Sequence, residues 1–373
     1  MHDSASPRPQ QRRFRRNAWP IGVLFGAAMT VSCAAPESRV EPLSGSTHAL
    51  SEILLPDGDI VLEETTQVVT VAPRITITEN SLWIADGREA QVRRYSKNGE
   101  LLQYFGRRGS GPGEMNSPLA VFESPDGILV LEQGGNVHLW TFDGSEMPSY
   151  RASWPGIRPS VTTDAALLED GRVLRSTRVE PVVGTANLGV RTERVSWTAT
   201  AGTLESADTL PLTTFISEDM LGTYSGSGYT LSAVRGDVVA AVVGIQDTVR
   251  FYDLGSREET KVVLPTGDFR HVQPFTGTPG DPVALQPWLQ SFSTITSISF
   301  VADDVVVVQY RDVTADGVMW HLLGMSTSGA PLFQLRDAPV LLAWDPYSER
   351  FLGRPDPNAL PNELRWYSLA TLP

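Results

Sequence analysis

Cysteine occurs once in the 373 residues, at Cys33. A single thiol excludes an intramolecular disulfide and any cysteine-ligated metal cluster. Histidine is also scarce, with five in the chain, which leaves little material for a clustered histidine metal centre. Positive charge is short: 30 Lys and Arg stand against 43 Asp and Glu, a net charge of −13. The first 32 residues hold five Arg and one Asp, or +4, so the chain from Cys33 onward carries −17. So acidic a domain has too few Lys and Arg to neutralise phosphates, and nucleic acid is excluded as a partner. Anionic lipid headgroups would repel it as well, so any membrane attachment must come from something other than surface charge.

A long apolar span is lacking too. Trp19 to Val31 is mostly apolar but is interrupted by Pro20, Gly22 and Gly26. At ~1.5 Å per residue it reaches about 20 Å, short of the ~30 Å hydrocarbon core of a bilayer. It follows the basic run Arg12-Arg13-Phe14-Arg15-Arg16, and together these have the layout of a secretory signal rather than a spanning helix. The run ends in Thr30-Val31-Ser32-Cys33-Ala34, which resembles a bacterial lipobox, with Thr30 where that family prefers Leu. The resemblance implies a signal peptide over 1–32, removed before Cys33, and diacylglycerol on that thiol. Several acyl chains at ~0.8 kcal/mol per buried CH₂ would hold the protein to a membrane. Ala34 in place of Asp after the Cys favours the outer membrane. Residues 33–51, rich in Ala, Pro, Ser and Glu, read as a flexible tether, which leaves 52–373 for the folded domain.

Glycine (32) and proline (27) are plentiful, and hydrophobic residues make up 41% of the chain. That balance suits many short strands joined by many turns. Two segments repeat one another. Leu82–Asp86 leads to Val92–Gly99, and Ile128–Glu132 leads to Val137–Gly144, at offsets of 46 and 45 residues. Each reads as a strand, a polar link, a second strand with an aromatic, and a turn at Asn-Gly or Asp-Gly. Fainter copies begin near Arg172, Val238, Val305 and Arg350. Apolar runs such as Val238–Val243 would also suit a parallel α/β sheet, but no amphipathic helix of 10 to 12 residues separates them. A β-sandwich array would not account for the period. The expectation is an all-β propeller of about six four-stranded blades, with Gln67–Ala72 closing the ring as the outer strand of the last blade.

The link Gly106-Arg107-Arg108-Gly109-Ser110-Gly111-Pro112-Gly113-Glu114, with Pro118 and then Asp126–Val130, is similar to the inter-blade link of NHL-type six-bladed propellers. That resemblance is strong over about 65 residues (82 to 144) and implies fold and ring size. It implies little about activity, because such folds host scaffolds, receptors and a few lyases.

Candidate site residues are few. The glycines at 106–113 lack the Lys-Ser/Thr and helix of a phosphate loop and read as turns. Arg107 and Arg108 within them are two cations in an acidic protein and could capture an anion. His138 and His321, beside Trp140 and Trp320, read as packed strand residues. Asp86, Glu132, Asp253 and Asp312 at strand ends could line a channel mouth and hold Ca²⁺, as in lactonase-type propellers; the simpler reading is carboxylates that bind turn amides. Loops around 206–229 and 265–292 exceed usual lengths, and the second offers His271 and Trp288. The reading is a lipid-anchored envelope protein that binds a protein, peptide or glycan, with Arg107, Arg108, His271, Trp288 and Asp312 as binding candidates. No catalytic residue, metal ligand or resident cofactor is assigned. The alternative is a propeller enzyme of lyase or metal-dependent hydrolase type.

Overall fold

The computed structural model describes residues 53–63, 75–124, 127–134, 136–144, 150–151, 161–168, 173–178, 191–197, 204–210, 229–273, 275, 277 and 282–370. The signal, Cys33, the tether and Gln67–Ala72 lie outside these residues. A first strand, β1 (Leu54–Val61), is followed by β2 (Ile75–Ile77), β3 (Ser81–Asp86), β4 (Gln91–Ser96) and β5 (Leu101–Phe105). The short β6 (Arg107–Arg108) and β7 (Glu114–Met115) pair in parallel. Next come β8 (Pro118–Ser124), β9 (Gly127–Glu132), β10 (Asn136–Trp140) and β11 (Tyr150–Arg151), then β12 (Val161–Leu167), β13 (Val173–Arg178), β14 (Arg191–Trp197) and β15 (Leu204–Leu210). They are followed by β16 (Thr230–Arg235), β17 (Val238–Val243), β18 (Thr248–Asp253) and β19 (Glu259–Val263). A helix, α1 (Pro282–Leu289), precedes β20 (Thr294–Ala302), β21 (Val305–Thr314), β22 (Gly317–Ser326) and β23 (Pro331–Arg336). The last strands are β24 (Leu341–Asp345), β25 (Arg350–Gly353) and β26 (Glu363–Leu369).

Five groups of four consecutive strands form antiparallel sheets, and β24, β25 and β26 make another with β1 as its outer member. The innermost strands neighbour one another in cyclic order, β2 to β8, β12, β16, β20, β24 and back to β2. Five of these sheets have four strands of three residues or more. In the remaining sheet the described outer strand is Tyr150–Arg151 alone, so the expectation of about six four-stranded blades is corrected to five complete ones among the described residues.

The closing strand also differs from expectation. It is β1, paired from Leu54↔Leu369 to Val61↔Glu363 with an irregularity between Pro56 and Asp59, and not Gln67–Ala72. Leu-Pro-Asp-Gly reads as a turn, yet an edge strand tolerates Pro and a bulge because only one side must pair. Leu54 and Ile60 turn inward while Leu55 and Val61 face solvent.

The core lies between sheets. Val306 and Val308 pack with Phe251 and Phe300 of one cluster, whereas Val307 packs with Leu322 and Phe351 of another. A strand covered on both faces buries consecutive residues, which is why Val305–Val308 and Val238–Val243 read as unbroken apolar runs. Trp83, Trp140 and Met115 fill the junction of the first two sheets. Leu352 and Trp366 join Ile84 and Tyr95 across the seam where the chain closes on itself.

Candidate binding site at the central channel

The innermost strands enclose a cavity of about 1140 Å³. Hydrogen bonds between neighbouring sheets show how its two mouths are built. The Tyr229 hydroxyl donates to the Ile295 carbonyl (3.1 Å), and the Gln309 amide donates to the Pro339 carbonyl (2.9 Å). All of these sit near the points where inner strands begin. Where the strands end, Trp83 Nε1 and Ser81 Oγ donate to Glu123 Oε1 at 2.5 and 3.4 Å. Arg94 completes that cluster, 3.5 Å from Glu123, with its guanidinium 5.3 Å above the Trp83 ring. Arg94 and Glu123 answer each other's charge.

The mouth where strands begin carries the larger elaborations. Strands β21 and β22 run for ten residues each, against four to seven in most others, and their hairpin tip exposes Val318 and Met319. Beside them the segment 264–293 folds back with α1. Trp288 anchors it: the ring packs with Phe275 and Phe292 at 5.6 and 4.8 Å, and its N–H donates to the Gln273 carbonyl (2.7 Å). Arg270 ties the segment to the hairpin by donating to Asp312 Oδ1 (3.1 Å) and to the Gln290 carbonyl (3.0 Å).

Asp312 is the hub of this network. It also accepts from Ser293 Oγ (2.6 Å) and lies 3.1 Å from His321 Nε2, while His321 stacks flat on Tyr310 with ring centres 4.5 Å apart. Burial alone would raise the Asp312 carboxyl, but the bonds from His321, Ser293 and Arg270 outweigh it and hold it below the usual range. Tyr310 is pushed up to about 12, chiefly by burial. Glu132 repeats the arrangement in the second sheet. Burial raises it, yet His138 at 3.2 Å, the Asn116 and Ser117 amides and the Asn136 side chain bring it down to about 2.

Of the sequence-predicted positions, the structure brings His271, Trp288 and Asp312 to one side of the channel. His271 is exposed, with Nδ1 3.7 Å from Asp247 and its ring edge-on to Phe269. Arg107 and Arg108 stand apart, in the link between the first two sheets. Arg107 pairs with Glu114 (3.0 Å), and Arg108 donates to the carbonyls of Gly87, Arg88 and Asn116. They hold their own loop together. None of the four carboxylates read as a possible Ca²⁺ ring lines the cavity. Asp86, Glu132, Asp253 and Asp312 sit in four different sheets, and Asp86 and Asp253 accept from turn amides of Arg88, Glu89, Gly255 and Ser256. Among the described residues, no three His, Cys, Asp or Glu converge as a metal site.

No family model and no curated protein matches the chain. Solved structures do. A DUF4221 family member from Bacteroides vulgatus superposes with a TM-score of 0.61 at 9% identity, covering 86% of this chain and 99% of that one. A Bacteroides fragilis protein whose name marks it as exported gives 0.53 at 15% identity, with 82% and 86% covered. The WD40 repeats of RRP9 give 0.50 at 10% identity, with 85% and 99% covered. The fold is a β-propeller. At such identities the likeness carries the fold alone.

Sequence reasoning missed Arg311, Trp320 and Tyr229, which line the cavity at the elaborated mouth. The only signal was an Arg closing the apolar run Val305–Tyr310, and a charged strand end ordinarily reads as solvated. Among the described residues no helix is long and apolar enough to cross a membrane.

Proposed function

We propose that the chain is a lipid-anchored cell-envelope protein whose propeller binds a partner at the mouth where its inner strands begin. In this reading Cys33 carries the lipid, residues 33–51 span the gap to the bilayer, and the sheets form one propeller ring with the link chemistry of NHL-type repeats. The partner is a protein, peptide or glycan, and the outer membrane is the favoured site.

One observation supports binding over catalysis. The projecting hairpin and the segment 264–293 are locked together by Arg270, Asp312, Ser293 and His321, which presents a pre-formed surface on one face. Asp312, the one carboxylate in that network, is occupied in that task. A photo-crosslinking residue at Val318 or Met319 should capture a discrete partner in intact cells, and one at Asp303, beyond the opposite mouth, should not. Equal capture at both positions would overturn the choice of face. Metabolic labelling with an alkyne fatty acid should mark the wild-type chain and not Cys33→Ser. Labelling of both would remove the anchor.

A further inference from the structure

Among the described residues Arg311 is a cation without a counter-charge. Strand alternation sends Asp312, its neighbour in sequence, to the opposite face, where Ser293, Arg270 and His321 engage it. Arg311 shares its own face with Gln309, whose amide is spent on Pro339 and Leu341. Directly across the ladder stands Trp320, with the guanidinium carbon 5.8 Å from the ring centre. The side chain is half-buried, its Nε is buried without a hydrogen-bond partner, and no carboxylate or carbonyl among the described residues pairs with it. The nearby arginines contrast with it, since Arg270 is paired with Asp312 and Arg336 with Asp268.

An unmatched charge withdrawn from water costs stability unless a partner arrives. Here the partner's place is the cavity, which Arg311, Trp320 and Tyr229 all line. At the same mouth, on β12, the hydroxyl of the fully buried Thr162 is also without a partner among the described residues. The domain's net charge repels anions in general, so one held here must be held by local geometry. A guanidinium fork matches a two-oxygen anion, and an indole face suits a planar apolar body.

We propose that this mouth binds an anionic group, a carboxylate or phosphate, on the Arg311 guanidinium, with the body of the ligand against Trp320. The proposal deepens the binding reading above by naming the chemistry of the ligand.

The test is calorimetric titration of the full-length chain, purified in detergent, with benzoate, inorganic phosphate and the neutral benzamide. Benzoate should bind; phosphate binding more tightly would assign the phosphate source, and benzoate binding more tightly the carboxylate. Arg311→Gln should weaken anion binding by about tenfold or more, Arg311→Lys by less. Arg235→Gln, at the opposite mouth, should leave it unchanged. Without ligand, Arg311→Gln should melt at or above the wild-type temperature, because it removes an uncompensated charge. Absence of anion binding in wild type, equal binding of benzamide, unchanged binding in Arg311→Gln, or a lowered melting temperature for that variant would each overturn the proposal. None of these results would alter capture at the hairpin tip, so the two readings fail separately.

Discussion

Lys97 and Asp345 meet 2.7 Å apart although 248 residues separate them in sequence. The pair bridges the first and last sheets, beside the seam at which the ring closes. Asp345 is fully buried and Lys97 is one-fifth exposed. Burial would raise the Asp345 carboxyl, but Lys97, Ser348 and the Tyr347 amide overcome this and keep it lowered. Removing one partner of such a pair strands a buried charge, at a cost of about 3 kcal/mol. Lys97→Met should therefore lower the unfolding free energy from denaturant titration by that order, and the double variant Lys97→Met/Asp345→Leu should recover most of it. Additive losses in the cycle would show that the two do not couple.

Acid should loosen the second sheet through Glu132. Its folded carboxyl lies at about 2 against an ordinary 4.5, so its contribution is complete above the ordinary value and lost as pH falls toward 2. A shift of that size corresponds to roughly 3 kcal/mol at neutral pH. Unfolding free energy measured between pH 6 and pH 2.5 should fall more steeply in wild type than in Glu132→Gln. Parallel curves would show that the carboxylate gains nothing from folding.

Gly99 has φ +95°, and a Cβ there would lie 2.4 Å from the Val61 carbonyl oxygen of the closing strand. Gly99→Ala should push the end of β1 away, at about 1 to 3 kcal/mol. Hydrogen exchange should rise in residues 54–61 before any other strand responds. Leu54→Ala, which empties a fully buried position on the same strand, should give the same pattern at about 2 to 5 kcal/mol.

Chelation should do nothing. Because no three His, Cys, Asp or Glu converge among the described residues, EDTA should leave the melting temperature unchanged. A fall of several degrees, reversed by Ca²⁺ or Zn²⁺, would show a metal contributing to the fold.

The legible part of the fold was its middle strands. Leu82–Asp86, Ile128–Glu132, Val238–Val243 and Val305–Tyr310 become β3, β9, β17 and part of β21, each the second strand of its sheet and covered on both faces. The first strands of the sheets went unread. Where they line the cavity they carry Thr162, Ser232 and Thr296 among apolar residues, which blurs the period. The closing strand hid behind Pro56 and Asp57-Gly58. Unusual composition marked the segment around Trp288 as an elaboration, although the ring itself is buried as that segment's anchor. Arg311 was illegible, because its significance lies in which face of the ladder it takes, and that depends on register.

The pairing of Leu54 with Leu369 has a consequence for chains that are cut short. A polypeptide made from its N-terminus produces β1 first and its partner β26 last. Any product that ends before residue 363 therefore leaves β1 without a partner and β25 with an open edge. Such a chain offers unpaired backbone to proteases and to aggregation. Closure therefore waits on β26: until that strand is made, β1 has no partner and the first and last sheets are not joined by it.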